Sequence, residues 1–167
     1  MSILLKNATI VDGKSNLNFK TKDILINDGD IVDIADTIKT KASQTIKLEN
    51  LHVSRGWMDT SVCFGEPGFE ERETILNGLE TAASSGFTSI LLNPNCDPVI
   101  DNHSSIEFLK RKSAETTTEI YPIGSLTNNS KGEELASLFD MKVAGAVAFG
   151  DYKQTVKDTS LLKISLE

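Results

Sequence analysis

The chain is short of the residues that most often carry a framework or a metal: 167 residues include only two cysteines and two histidines. Two cysteines are too few for a disulfide framework and are normal for a reducing compartment, so the fold has to rest on its core. No stretch reaches the roughly 18 to 20 apolar residues of a membrane span. The opening MSILLKNATIVDG also lacks the small-residue cleavage site of a secretory signal. These features imply a cytoplasmic location and no membrane partner. Basic residues are in deficit as well, with 17 Lys and Arg against 24 Asp and Glu and a net charge of −7. Such a surface repels a phosphate backbone, which argues against nucleic acid as a partner. The one basic cluster, Lys110-Arg111-Lys112, reads as a solvated helix face. What remains, 39% hydrophobic and 25% charged, is the balance of a globular chain long enough for a real core.

Residues 1–52 show no helical period. They carry β-type runs: ILLKNATIVD, KDILINDGDIVDIA and QTIKLENLHV. Between DILI and IVDIA, the NDGD stretch is a hairpin signal, because Asn27, Asp28 and Gly29 tolerate positive φ. This part is expected to be a small antiparallel, β-sandwich-like unit. From residue 53 onward strands alternate with helices. Strands are expected at 53–63, 87–93, 118–126 and 143–149. A helix over 71–86 places Ile75, Leu79 and Ala82 on one face, with Gly86 as its stop. A second starts at Ser104, capped with Glu107. Ser130 and Glu133 repeat that spacing ahead of ELASLF, and KDTSLLKISLE opens a further helix.

Strands alternating with helices over short connections imply parallel pairing, in a doubly wound sheet or in part of a (β/α)8 barrel. A complete barrel takes roughly 250 residues, so residues 53–167 are expected to form about four of its units. The sequence stops within the fourth helix with no cap signal, which reads as an N-terminal piece of a longer protein or a truncated product.

Chemistry in either closure belongs at the C-terminal ends of the strands. Those ends read DTSVCFGEPGFEERET, NPNCDPVID, GSLTNN and AFGDY. With VSRGWMD they resemble the dihydroorotases of the amidohydrolase superfamily, of the type found in multifunctional complexes, whose motifs run PGFID-x-H-x-H-LREPG, MPNT-x-P-x-D and VAFSDDG. Gly56, Asp59, Glu66, Pro67, Gly68, Glu73 and Thr74 match the first motif. Pro94, Asn95, Pro98 and Asp101 match the second, and Ala148, Phe149 and Asp151 part of the third. The resemblance settles the fold expectation on an amidohydrolase-type (β/α)8 barrel, incomplete in this chain and preceded by the β unit. It implies cyclic amide hydrolysis, interconverting dihydroorotate and carbamoyl aspartate in pyrimidine biosynthesis. It also implies zinc, which polarises a carbonyl and brings the pKa of bound water to roughly 7.

In the family, the two histidines of H-x-H and the first aspartate of SDDG hold the metal, and an arginine and an asparagine grip the substrate carboxylate. Here Ser61 and Cys63 stand at the histidine positions and Gly65 at the arginine. Asp151 falls on the aspartate and Asn95 on the asparagine. The remaining ligands and the general acid/base come from strands beyond this chain. A neutral hydroxyl is a poor zinc ligand and a thiolate a good one, so Cys63 and Asp151 are at most two donors. Read by themselves, the residues leave alternatives open. Asp151 equally caps a loop, Asn95 equally shapes a turn, and Cys63 is a relic ligand, a reactive thiol or, preferentially, a small buried residue. Cys63 and Cys96, both at strand ends, also leave a disulfide or two-thiolate metal site open. His52 and His103 match no ligand position and are read as local hydrogen-bonding residues.

The expectation is a dihydroorotase-family chain that is non-catalytic as given. One alternative is a structural dihydroorotase-like subunit that binds aspartate carbamoyltransferase. Another is an active cyclic amidase in a longer chain, with an altered metal site built on Cys63, Asp151 and later residues. An open half-barrel exposes a strand edge and apolar helix faces, so homo-oligomers are expected too.

Overall fold

A computed structural model describes residues 1–166; Glu167, the last residue of the expected fourth helix, lies outside the described residues. The chain divides into two compact units, Met1–Arg55 and Gly56–Glu167.

Unit 1 is a five-stranded sheet of β1 (Ser2–Val11), β2 (Thr21–Asn27), β3 (Asp30–Ala35), β4 (Gln44–Ile46) and β5 (His52–Ser54). β1, β2 and β3 form the expected antiparallel meander, and Asp28 and Gly29 take φ of 49° and 95° in the turn joining β2 to β3. That pair of positive values matches the right-handed twist of a tight hairpin. The unit is not wholly antiparallel, because β4 and β5 both pair with β1 in parallel. The expected strand over 53–63 is therefore split. Its first residues join the sheet of unit 1 through Ile10 and Val53, and the chain reaches unit 2 only after Arg55. Ala8, Ile10 and Ile24 form a small core with Leu5, Leu17, Ile26, Leu51 and Val53 around it.

One buried carboxylate organises this unit. Asp23, 1% exposed, accepts from Lys6 Nζ at 2.5 Å, Ile38 N at 2.8 Å and Asn7 N at 3.0 Å. These bonds clamp the irregularity in β1 between Leu5 and Ala8 and the segment after β3. Burial works to raise the Asp23 pKa, but the hydrogen bonds from Lys6, Ile38 and Asn7 outweigh it and the net displacement is downward.

Unit 2 contains β6 (Trp57–Val62), α1 (Ile75–Ser84), β7 (Phe87–Leu92), α2 (His103–Lys112), β8 (Glu119–Gly124), α3 (Leu138–Ala144), β9 (Ala148–Phe149) and α4 (Thr159–Ser165). Its four strands are parallel and ordered β6-β7-β8-β9. Neighbours in the sheet are thus neighbours in sequence, and crossovers of one hand return every helix to the same face. That is the winding of a barrel; a doubly wound sheet reverses its strand order. Alternate residues Ile90 and Leu92 of β7, with Ile120 of β8, meet Ile75 and Leu79 of α1, Ile106 and Leu109 of α2 and Met141 of α3 in one core. Each such fully buried aliphatic side chain contributes about 1.5 to 3 kcal/mol.

Several helix starts differ from expectation, each because another residue makes the cap. α1 begins after Thr74, whose Oγ1 accepts from Asn77 N, since residues 65–73 are held in a turn by Gly65 N and Glu66 N donating to Glu73 O. α2 is capped by Asn102, which accepts from Ser105 N, so Ser104 and Glu107 form no capping box. Ser130 sits in a short 3-10 turn, and α3 starts only at Leu138 because Leu135 is bridged to Thr127. α3 then runs to Ala144, which reduces the expected strand over 143–149 to Ala148–Phe149.

Replacing Asp23 by Ala should destabilise unit 1 by roughly 3 kcal/mol, because Lys6 and two backbone N–H groups lose their partner; urea unfolding measures this. A carboxylate with a lowered folded-state pKa stabilises fully above its unfolded value, roughly 3.9. Its contribution should therefore fade as pH drops below about 4 and vanish as pH passes the lower folded value. Acid titration of the wild type and of Asp23→Asn should show a smaller acid loss in the variant.

Candidate functional site

The C-terminal ends of β6 to β9 bring together most of the residues singled out by sequence. At the end of β6, the Ser61 and Cys63 side chains reach the same neighbour. That neighbour is Asn93, just after β7, whose Nδ2 donates to Ser61 Oγ at 3.2 Å, to Val62 O at 3.1 Å and to Cys63 Sγ at 3.5 Å. Asn93 N also donates to Val62 O, at 2.9 Å. Asn93 is 7% exposed and ties the two strand ends side by side. Sequence reasoning missed it. The signal was there: an amide directly after the apolar run ILL, where the strand end ought to stay apolar.

Cys63 is exposed and Cys96 buried, the reverse of the preferred reading for Cys63. The reason is that β6 is the terminal strand of its sheet, so its side chains lack a covering neighbour. Cys96 Sγ donates to Glu66 O at 3.6 Å, and burial, with smaller contributions from Cys63 and Glu70, pushes its pKa up to about 11. Burial therefore favours the protonated thiol of Cys96 at neutral pH.

Asp151 follows β9 and reaches back across to the loop after β8. Its Oδ1 accepts from Ser125 Oγ at 2.8 Å and Thr127 N at 3.0 Å, and its Oδ2 accepts from Thr127 Oγ1 at 2.5 Å. Ser125 and Thr127 are fully buried, and Thr127 Oγ1 in turn accepts from Gly132 N at 2.8 Å. Three of about four acceptor positions on this carboxylate are thus used within the fold. Asn95, next to the β7 end, has a buried Oδ1 that finds no hydrogen-bond partner among the described residues. A buried polar atom left alone costs about 1 to 3 kcal/mol.

The turn after β6 is built on Glu66, 8% exposed, whose Oε2 accepts from Ile75 N at 2.8 Å and whose Oε1 pairs with Lys112 Nζ at 2.8 Å. Gly65 lies so close to the returning chain that a Cβ there would stand 1.8 Å from Phe69 O. The loop has closed over the position where a side chain would project. His52 Nδ1 is 2.6 Å from Asn50 O. His103, in α2, is 3.1 Å from Asp140 O through Nδ1 and 3.4 Å from Glu107 through Nε2. His52 thus bonds locally, whereas His103 links α2 to Asp140 of α3. Among the described residues no three His, Cys, Asp or Glu side chains converge as a metal-binding group. Nor is Ser61 Oγ or Cys63 Sγ hydrogen-bonded there to a histidine or carboxylate that would activate it as a nucleophile.

Residues 51–166 match the model of the family described as dihydro-orotase-like. The chain belongs to that family. It is 40% identical over 167 residues to the dihydroorotase of Pelotomaculum thermopropionicum, covering all of this chain and 39% of that one. It is 39% identical over 166 residues to the dihydroorotase of Acetivibrio thermocellus, again covering 39% of that protein. The chain thus spans about 39% of the length of these curated relatives. Among solved structures, the L-hydantoinase (dihydropyrimidinase) from Arthrobacter aurescens superposes with a TM-score of 0.71 at 23% identity, over 88% of this chain and 32% of that one. A dihydroorotase crystal structure superposes with a TM-score of 0.60 at 16% identity, over 89% of this chain and 41% of the other. At these identities the superpositions speak for the fold, and the partial coverage agrees with an incomplete barrel.

Within this dihydroorotase-like fold, Asp151→Ala should lower stability by about 2 kcal/mol, because the Thr127 N–H and the buried Thr127 hydroxyl lose their acceptor, while Ser125 Oγ can still donate to Thr127 O at 2.7 Å. Urea unfolding should give the same loss with and without a chelator. A loss that appears only when zinc is present would assign Asp151 to a metal.

Proposed function

We propose that this chain keeps the dihydroorotase scaffold but does not hydrolyse a cyclic amide through a zinc held by its own residues. The observation that carries this reading is the Asn93 amide set between Ser61 Oγ and Cys63 Sγ, at the two positions where the resemblance expects the H-x-H ligands. When bound in the family manner, zinc supplies Lewis-acid polarisation and an activated water. The donors present do not fit it. Ser61 offers a neutral hydroxyl, Cys63 sulfur already receives an amide N–H, and Asp151 is engaged by Ser125 and Thr127. Catalytic zinc needs three protein ligands with an open fourth position.

Substrate binding changes in the same direction. The turn at Gly65 leaves no room for the arginine side chain that would grip a carboxylate. Asn95 stays in place, and the donor end of its amide is the group through which the resemblance implies a carboxylate contact. A chain of this kind has lost the charged grip but kept the frame. The role that the resemblance implies for a non-hydrolytic member is to support aspartate carbamoyltransferase, and co-elution of the two in gel filtration tests it.

The central test is metal analysis and an assay of carbamoyl aspartate cyclisation on the purified 167-residue chain, after incubation with zinc. Expected are well under one zinc per chain and no turnover above the protein-free rate. Stoichiometric zinc accompanied by turnover would overturn the reading and favour an altered site that includes Cys63 and Asp151. Zinc bound without turnover, and lost in Cys63→Ala, would leave the non-hydrolytic reading intact while refuting the proposed absence of a metal.

A further inference from the structure

Between the turn after β6, the loop after β7 and the first turns of α2 lies a cleft of about 260 Å³, walled by Pro67, Pro98, Ile100, Ser104, Ser105 and Phe108. Its walls are fixed before any ligand arrives. Asp97 N donates to Pro67 O at 3.0 Å, and the two loops approach so closely that a Cβ on Gly68 would stand 1.9 Å from Asp97 O. Ile100 is fully buried, and Phe108 packs against the core of unit 2. A concave, largely apolar surface with preset walls costs a ligand little ordering, which is the property that small-molecule sites share. Ser61, Cys63, Asn95 and Asp151 take no part in the cleft, so nothing in it depends on whether those residues hold a metal.

Charge beside the cleft selects the ligand. Asp97 directly precedes Pro98, and Glu70 Oε1 accepts from Gly68 N at 3.0 Å beside Pro67. Both carboxylate side chains are exposed. The bond from Gly68 holds the Glu70 carboxyl below its usual pKa, so it is anionic at neutral pH. Cations in the neighbourhood are engaged elsewhere. Lys112, whose charge reaches Glu70, pairs with Glu66 Oε1 at 2.8 Å, and the Arg72 guanidinium lies 4.2 Å over the Phe69 ring. Arg111 stands one turn past Phe108, at the end of α2 opposite Ser104. The wider surroundings are acidic as well: residues 56–167 hold 17 of the chain's 24 Asp and Glu but only nine of its 17 Lys and Arg. Such a field concentrates cations and opposes anions. We propose that the cleft binds a small organic cation, its hydrocarbon body on Pro67, Pro98, Ile100 and Phe108 and its ammonium group at Glu70 and Asp97. A neutral apolar ligand would gain the same burial without the ion pair, and a carboxylate would meet two like charges.

Nuclear magnetic resonance titration of the isotope-labelled 167-residue chain with benzylammonium, benzyl alcohol and benzoate, at neutral pH and constant ionic strength, tests the proposal. Saturable shifts of the Ile100, Ser104, Ser105 and Phe108 amide signals are expected with benzylammonium. Benzyl alcohol should bind about fivefold more weakly, the factor that an exposed ion pair supplies, and benzoate should produce no saturable shift. Glu70→Gln combined with Asp97→Asn should bring benzylammonium down to the affinity of benzyl alcohol. Ser104→Trp, at an exposed position on the wall, should fill the cleft and abolish binding of both, with circular dichroism establishing that each variant is folded. No saturable shift with any of the three probes on the wild-type chain would overturn the proposal. Equal affinity for benzylammonium and benzyl alcohol would overturn its charge selection, as would benzylammonium binding that the folded double variant leaves unchanged. Saturable shifts confined to residues outside the cleft would assign benzylammonium to another acidic surface and refute this site.

Discussion

Covering one face of a parallel sheet with the helices that connect its strands is the constraint on which unit 2 depends. Parallel neighbours in sequence order force each connection back over the same face, and Ile75, Leu79, Ile90, Leu92, Ile106, Leu109 and Ile120 fill the layer between. This core sets where the strands end and therefore which residues meet at their C-terminal rim. It does so without any contribution from Ser61, Cys63 or Asp151. Ser61 and Cys63 are exposed at this rim and add nothing to that core.

The rim has its own polar network. Asn93 joins the ends of β6 and β7, Asp151 joins the loops after β8 and β9, and Glu66 joins the turn after β6 to α1 and α2. Asp151 and Glu66 satisfy backbone N–H groups of buried residues, and the buried Asn93 amide finds its own partners at the β6 end, which is the condition for polar residues in an interior. The same arrangement gives Glu66 and Asp151 structural roles of their own. Glu66 answers the backbone N–H of Ile75, and Asp151 answers that of Thr127, whether or not a metal is nearby.

Much of the fold was legible in the sequence. Period-two and helical patterns separated residues 1–52 from the βα repeats, and the Asp28-Gly29 turn lay where the hairpin signal put it. Boundaries were less so. Ser104 and Glu107 had the spacing of a capping box, but Asn102 caps the helix by accepting from Ser105 N. The strand expected over 53–63 was shared between two sheets because Val53 found a partner in Ile10. Local patterns rank the available caps and partners, and tertiary geometry chooses among them.

By itself the sequence determined the family frame, the substitution of Ser61, Cys63 and Gly65 at positions where the resemblance expects charged or imidazole side chains, and the count of four barrel strands. These depend on residue identity and order alone. Only the tertiary structure decided that Asn93 bridges Ser61 and Cys63, that Asp151 is engaged by Ser125 and Thr127, and that Gly65 has no room for a side chain. Those facts turn on distances between residues far apart in the chain. Hydrogen bonds and steric overlap are decided within a few tenths of an ångström, a scale that residue order does not encode.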